Sequence, residues 1–357
     1  MSEAVNLFAQ QEANRRRSRW LVIGFVAFFA WLGFGGDWIF FLSTETAGTG
    51  EYRHVFPWLG LAMTAIAGGM TAYAWRKGAD NILWSAGASE LLEPRTPQEI
   101  QLVNVVDEMA IASGMPRPRV FVIRDPDPNA FTTGRDPHSA AIVVTDGLLR
   151  ICEREEIQGV IAHEMGHIRN LDIQLMTLLA SLVGTVALIS EGLGRTLRGR
   201  RGVRLGGGSR GKKGNPLVLV LLAVWILSWI LAPFITRMLA LGVSRKREYL
   251  ADAMAAQFTR NPNALASALQ KIEREHAPTA AIAKGSAHLC IADPLGRAVT
   301  SREGWLADRL ATHPPMALRV SRLRAMAYQE IKRDAGLVAG NLPTASTASR
   351  HVPAKSS

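Results

Sequence analysis

His163, Glu164 and His167 are the residues of this chain whose types and spacing most directly allow chemistry. Residues four apart share one face of a helix, so both imidazoles can reach a single metal ion, and Glu164 beside the first is placed to contact water on that ion. A catalytic zinc takes three protein ligands and keeps a fourth position open for water. The next histidine is distant, at His276, so a carboxylate from a later helix is the other source of a third ligand. Arg245 to Asp252 offers Glu248 for that place. Asp252, one turn further, would accept a hydrogen bond from the outward nitrogen of a ligand histidine. The same octet also reads as a solvated charged helix with i,i+4 pairs, and spacing alone does not separate the two. The chemistry such a centre performs is peptide-bond hydrolysis, with zinc lowering the pKa of a water to ~7 and Glu164 as general base and then acid.

The elements that must position these residues are legible nearby. Thr96-Pro97-Gln98-Glu99 is a capping box with proline at the first helical position, and Gly114 can end the helix in a left-handed cap. Arg119 to Arg124 and Ala140 to Val144 read as strands. Between them, Asn129 to Gly134 is short and polar at its borders, compatible with an exposed edge strand. Thr145 starts a helix that leads through Gly147-Leu148-Leu149 into the Glu153 to His167 segment, whose Ile157, Val160, Ile161 and Ile168 form an apolar stripe behind the motif.

Composition adds a second environment. Hydrophobic residues make up 48 % against 20 % charged, the average expected when membrane segments and a water-soluble domain share a chain. A disordered, collagen-like or disulfide-framed chain is excluded, the last because Cys152 and Cys290 are the only cysteines. Trp20 to Leu42 exceeds the ~20 apolar residues needed to cross a bilayer, and the run is too long for a signal peptide. Pro57 to Trp75 is a second, weaker span. Its pairs Ala65 with Gly69 and Gly68 with Ala72 are small residues at the spacing that lets helices approach closely. Arg15, Arg16, Arg17 and Arg19 precede the first run, and Arg76 and Lys77 follow the second, which predicts cytoplasmic outer flanks. Ile173 to Ile189 and Pro216 to Gly242 are two further apolar runs, either crossing or forming a hairpin at the membrane. The loop between them, 192 to 214, holds nine glycines and eight basic residues. The net charge of +11 sits beside apolar runs, which favours a lipid surface. No nucleic-acid partner is expected, because the basic loop lacks aromatics for stacking.

These residues resemble the HtpX-type membrane zinc endopeptidases, kin to the CAAX prenyl endopeptidases. The likeness runs over about 20 to 330 and includes the two N-terminal spans, the segments NAFTTG and VVTDGLLRICEREEIQGVIAHEMGHIRN, then SRKREYLAD, SAHLCIADP and THPPMALRV, in the family's order. It implies a mainly α fold with a small β-sheet (α+β), gluzincin-like, with about four hydrophobic segments. The divisions would be an anchor at 1–77, a catalytic domain from 78–172 and 243–335, the later hydrophobic segments at 173–242, and a disordered tail at 336–357. It implies one zinc on His163, His167 and Glu248, Glu164 as the catalytic carboxylate, and Asp252 behind a ligand. Asn129, Ala130, Phe131 and Thr132 would be a substrate-binding edge strand, His313 a donor at the reacting carbonyl, and Arg319 its supporter. Protein or peptide substrates, membrane proteins among them, a bacterial inner-membrane location with the catalytic domain in the cytoplasm, and a role in quality control follow from the same likeness. A membrane scaffold with a structural zinc is the rival reading. His54 and His138 read as surface residues.

Overall fold

A computed structural model describes residues 7–44, 53–184, 245–275, 289–292 and 314–340. The third and fourth apolar runs beyond residue 184, the glycine-rich loop, His276, His288, His313 and the tail after 340 lie outside the described residues. The fold is mainly helical with a four-stranded mixed sheet. Helices α1 (Leu7–Thr44) and α2 (Trp58–Ser85) lead into β1 (Ser89–Glu90), α3 (Pro97–Ser113), β2 (Arg119–Ile123), β3 (Ala130–Thr133) and β4 (Ala141–Thr145). Helices α4 (Asp146–Ile151), α5 (Arg154–Arg169), α6 (Asp172–Gly184), α7 (Arg245–Thr259), α8 (Pro262–Arg274) and α9 (Met316–Gly340) follow.

The sheet order is β1-β2-β4-β3, with β2 and β4 parallel and both outer pairs antiparallel. Strands β2 and β4 are apolar nearly throughout because both faces are covered. Val120, Val122, Ile142 and Val144 join one core with α3, α5, α7 and α8. Phe121, Ile123, Ala141 and Val143 point the other way, onto Ile82 and Leu83 of α2 and Met176, Leu179 and Ala180 of α6. Helix α3 begins with the reciprocal bonds between Thr96 and Glu99 and ends at Gly114 in the left-handed region, φ 67°.

Four sequence expectations are corrected. The helix expected to run unbroken from Thr145 is two helices, because Glu153 and Glu156 form a second capping box that restarts the chain as α5. Glu156 is in turn fixed from α8 by Lys271 Nζ at 2.7 Å and Ser267 Oγ at 2.5 Å. Strand β3 lies at the sheet's edge but is buried rather than exposed, because its outer side carries a bridge from Phe131 to Cys290. His54 is no bare surface residue: its Nε2 lies 2.7 Å from Asp37 Oδ1. Finally, the small residues that bring α1 and α2 together are Gly33 and Gly60. A Cβ on Gly33 would stand 2.8 Å from the Gly60 Cα, whereas one on Gly68 or Gly69 would meet nothing within 4 Å.

Asp37 holds the same crossing. Its carboxylate accepts from the amides of Leu59 (3.2 Å) and Gly60 (2.6 Å). It thereby caps α2 from a neighbouring helix, a place the Pro57 side chain cannot fill. Among the described residues α1 is the one helix long and apolar enough to cross a membrane, and 22 % of its apolar window is buried in the protein.

Candidate metal centre

Helix α5 carries His163, Glu164 and His167, and α7 crosses it closely at Gly166. A Cβ there would lie 3.1 Å from the Ala251 Cα, so the motif's own glycine admits the second helix. The crossing brings Glu248 to the histidine pair. His163 Nε2 lies 3.2 Å from His167 Nε2, 3.7 Å from Glu248 Oε2, and His167 Nε2 lies 3.6 Å from Glu248 Oε1. Donors arranged tetrahedrally about one zinc at its usual bond lengths stand about 3.3–3.5 Å apart. The three side chains therefore fit that ion with little movement. Among the described residues the group of possible ligands contains these three alone.

Each imidazole is held from behind. Asp252 Oδ1 lies 3.0 Å from His163 Nδ1, and Asp172 Oδ2 lies 3.0 Å from His167 Nδ1. A carboxylate on Nδ1 fixes the tautomer that presents Nε2 to a metal and raises its basicity. Burial opposes charge on His167, yet the Asp172 hydrogen bond and the Glu248 and Glu164 carboxylates push its pKa up to about 9. A field that holds a proton there also favours a metal cation. Burial likewise opposes charge on Asp252, but Arg319 keeps its carboxyl below the ordinary range.

The remaining candidates are placed as follows. The Thr132 hydroxyl donates to Glu164 Oε2 and so aims the carboxylate. Arg319, fully buried on α9, donates through Nη2 (2.7 Å) and Nε (3.0 Å) to the two oxygens of Asp252, and through Nη1 to the Ile291 carbonyl at 3.1 Å. Ala130 O accepts from Ile291 N at 2.9 Å, and Asn129 Nδ2 donates to Ala292 O at 2.9 Å. The segment Leu289–Ala292 thus already lies along β3, with the Phe131 side chain in the core on the α6 face.

The sequence profile of Peptidase family M48 matches residues 97–327. The chain belongs to that family. This M48 peptidase is a metalloendopeptidase. It is 41 % identical over 234 residues to "Protease HtpX homolog" of Caldanaerobacter subterraneus subsp. tengcongensis, covering 65 % of this chain and 74 % of the relative. Against the protein of the same name from Streptococcus gordonii it is 35 % identical over 321 residues, covering 90 % of this chain and all of the relative. The crystal structure of S. mikatae Ste24p is similar with a TM-score of 0.39 and 18 % identity, over 90 % of this chain and 66 % of that one.

Three further residues bear on the candidate metal centre. Asp172, at the start of α6, supports His167 through its Nδ1. Asn14, fully buried on α1, donates from Nδ2 to Asp172 Oδ1 at 2.7 Å and to Asn170 O at 2.9 Å, so the first helix reaches the metal centre. Arg247 precedes Glu248 and is 2 % exposed. It lines a cavity of about 20 Å³ with Thr132, Glu164, His167 and Glu248. Its Nη2 contacts Met176 Sδ at 3.0 Å, its Nη1 stands 3.7 Å from Asp172 Oδ1, and among the described residues neither Nε nor Nη1 has a hydrogen-bond acceptor. The only sequence signal for Arg247 was its place beside Glu248; for Asn14 and Asp172, separated by 158 positions, there was none.

Proposed function

We propose that this chain is a membrane-bound, zinc-dependent endopeptidase that cleaves segments of misfolded or damaged membrane proteins on the cytoplasmic side of a bacterial inner membrane. One observation carries the reading: two imidazole Nε2 atoms and the Glu248 carboxylate converge within 4.8 Å, each ring backed by an aspartate. A zinc held by three protein side chains keeps a position for water, which is the arrangement of hydrolytic centres. Bound zinc would supply Lewis acidity and a water acidified to a pKa of ~7.

Glu164, oriented by Thr132, takes a proton from the attacking water and returns it to the leaving amine. Arg247 supplies the donor for the reacting carbonyl. Burying a cationic group with unmade hydrogen bonds costs ~1–3 kcal/mol or more, and a cavity of its size admits a single water in the resting state. A substrate carbonyl entering there satisfies the same groups. His313 is a further donor to that carbonyl. Arg319 acts through Asp252 and the Ile291 carbonyl, holding His163 and the 289–292 segment rather than touching substrate. A substrate strand pairing with Asn129 to Thr132 must displace Leu289–Ala292, so extended, unfolded chains are the class that gains most from opening this edge. Membrane placement is supported by the length of α1 and by the basic residues at its start. The later apolar runs would make the chain multi-pass.

The test uses the full chain in detergent with an unfolded membrane-protein segment as substrate. Wild type and Glu164→Gln should each hold one zinc per chain, with cleavage by wild type alone. A chelator should abolish cleavage, and zinc should restore it. Cleavage by Glu164→Gln, or by metal-free protein, overturns the reading.

A further inference from the structure

Away from the candidate metal centre, α1 and α2, with Gln174 of α6, line a cavity of about 1100 Å³. Its walls change character along the helices. Arg15 and Arg19 of α1 and Arg76 of α2 stand at one end, with Trp75 beside them. Val22 and Val26 face Gly68 and Ala72 at the other. From Arg15 to Val26 is eleven residues, about 16 Å at the helical rise. Glu12 is the one acidic residue on the lining, and none of the three arginines pairs with a carboxylate among the described residues. The apolar end exists because Gly68 has no side chain and meets nothing within 4 Å. The wall nearest the catalytic domain is Gln174 of α6, two residues from Asp172.

We infer that this groove binds one anionic glycerophospholipid, its phosphate among Arg15, Arg19 and Arg76 and an acyl chain along Val22, Val26, Gly68 and Ala72. The inference rests on the proposed membrane placement of α1. Charge and depth choose the occupant. Arginines at the cytoplasmic end of apolar helices match an anionic headgroup at the interface, and the apolar length below them matches a chain entering the hydrocarbon. A soluble anion would leave the apolar half of the groove facing nothing, and a neutral lipid would leave three guanidinium groups without a counter-charge. The lipid would lie against the same stretch of α1 that carries Asn14, which gives the bilayer a contact one step from the support of His167.

Native mass spectrometry of the full chain in detergent, titrated with phosphatidylglycerol or with phosphatidylcholine of the same acyl chains, tests this. A single phosphatidylglycerol should be retained at concentrations where phosphatidylcholine is not. The triple variant Arg15→Gln/Arg19→Gln/Arg76→Gln should weaken that binding roughly 100-fold, from the affinity each basic residue contributes at an anionic surface. Arg16→Gln/Arg17→Gln/Lys77→Gln removes equal charge from exposed positions off the groove and should leave binding unchanged. Gly68→Leu, growing into open space, should weaken both lipids with every charge intact. Equal binding of the two lipids, equal loss in both triples, or unchanged binding by Gly68→Leu overturns the site. So does absence of any adduct, with a Gly68→Cys variant cross-linking instead to cysteines introduced at 216–242. Extraction of wild type from membranes by alkaline carbonate is a separate outcome: release would overturn the membrane reading itself, whereas retention without lipid selectivity overturns the groove alone.

Discussion

Around the metal centre, buried charges meet partners drawn from different elements: Asp252 with Arg319, His167 with Asp172, Asp172 with Asn14. Between α1 and α2 the opposite holds, with arginines facing a cavity and large apolar side chains facing outward, among them Trp20 at 65 % and Trp38 at 58 % exposure. The first region supplies its own low-dielectric surroundings and must satisfy every charge internally. On the proposed membrane placement, the second would be completed by an external apolar phase that has a charged boundary. Arg247 and Asn14 are where the contrast weakens. One is a charge in the core region with unmade bonds among the described residues, and the other is a residue of the first helix that serves the core.

The contrast fails most visibly if α7 is not part of the centre. Glu248→Ala should weaken zinc binding by more than the roughly 100-fold that loss of a supporting partner costs, read by chelator competition with the helical circular dichroism unchanged; wild-type zinc affinity would remove α7. Arg247→Met should lower kcat by about 10²–10³, as removing a donor to a developing oxyanion does, with zinc content retained and activity partly recovered by added guanidinium. An unchanged kcat with a lowered Tm would make Arg247 a structural residue like its neighbours.

A smaller effect sharpens the joint between the regions. Asn14→Ala should reduce zinc affinity about tenfold by loosening Asp172, and it should do so in detergent without any lipid. An unaltered affinity would show that α1 does not act on the centre. Smallest is a pH effect confined to the core side. Burial raises the Glu156 pKa, but the Lys271 and Ser267 hydrogen bonds and the Glu153 amide outweigh it, so the folded value lies below the ordinary 4.5. The stability Glu156 contributes is therefore full above pH 4.5 and lost as pH falls through the lower folded value. As pH falls below 4.5, wild type should lose stability more steeply than Glu156→Gln in urea unfolding. Parallel losses would show that the capping box carries no net stability.

The legible parts of this chain were those written in short-range spacing. The Thr96–Glu99 box, the apolar strands at 119 and 141, the i,i+4 histidines and the long apolar α1 each depend on residues within a few turns of one another. The helix break at Cys152 is hidden in the sequence because Gly147-Leu148-Leu149 continues a helical pattern, and Lys271 and Ser267, which fix Glu156 in the second cap, arrive from α8. The small residues of α2 mark a face where spacing lets two helices approach without saying that they do. The contact formed at Gly33 and Gly60, where Asp37 could cap α2.

What the amino-acid sequence determined alone is the inventory: an acid beside a histidine pair on one helical face, a carboxylate octet further on, and apolar runs bordered by arginines. What tertiary structure decided is which groups share a space. Asp172 meets His167, Asn14 meets Asp172, and Leu289–Ala292 lies on β3, because packing at positions such as Gly166 sets the distance between helices far apart in the chain. A hydrogen bond over 158 residues leaves no periodic trace, since each partner's local neighbours are chosen by its own helix and not by the residue it meets.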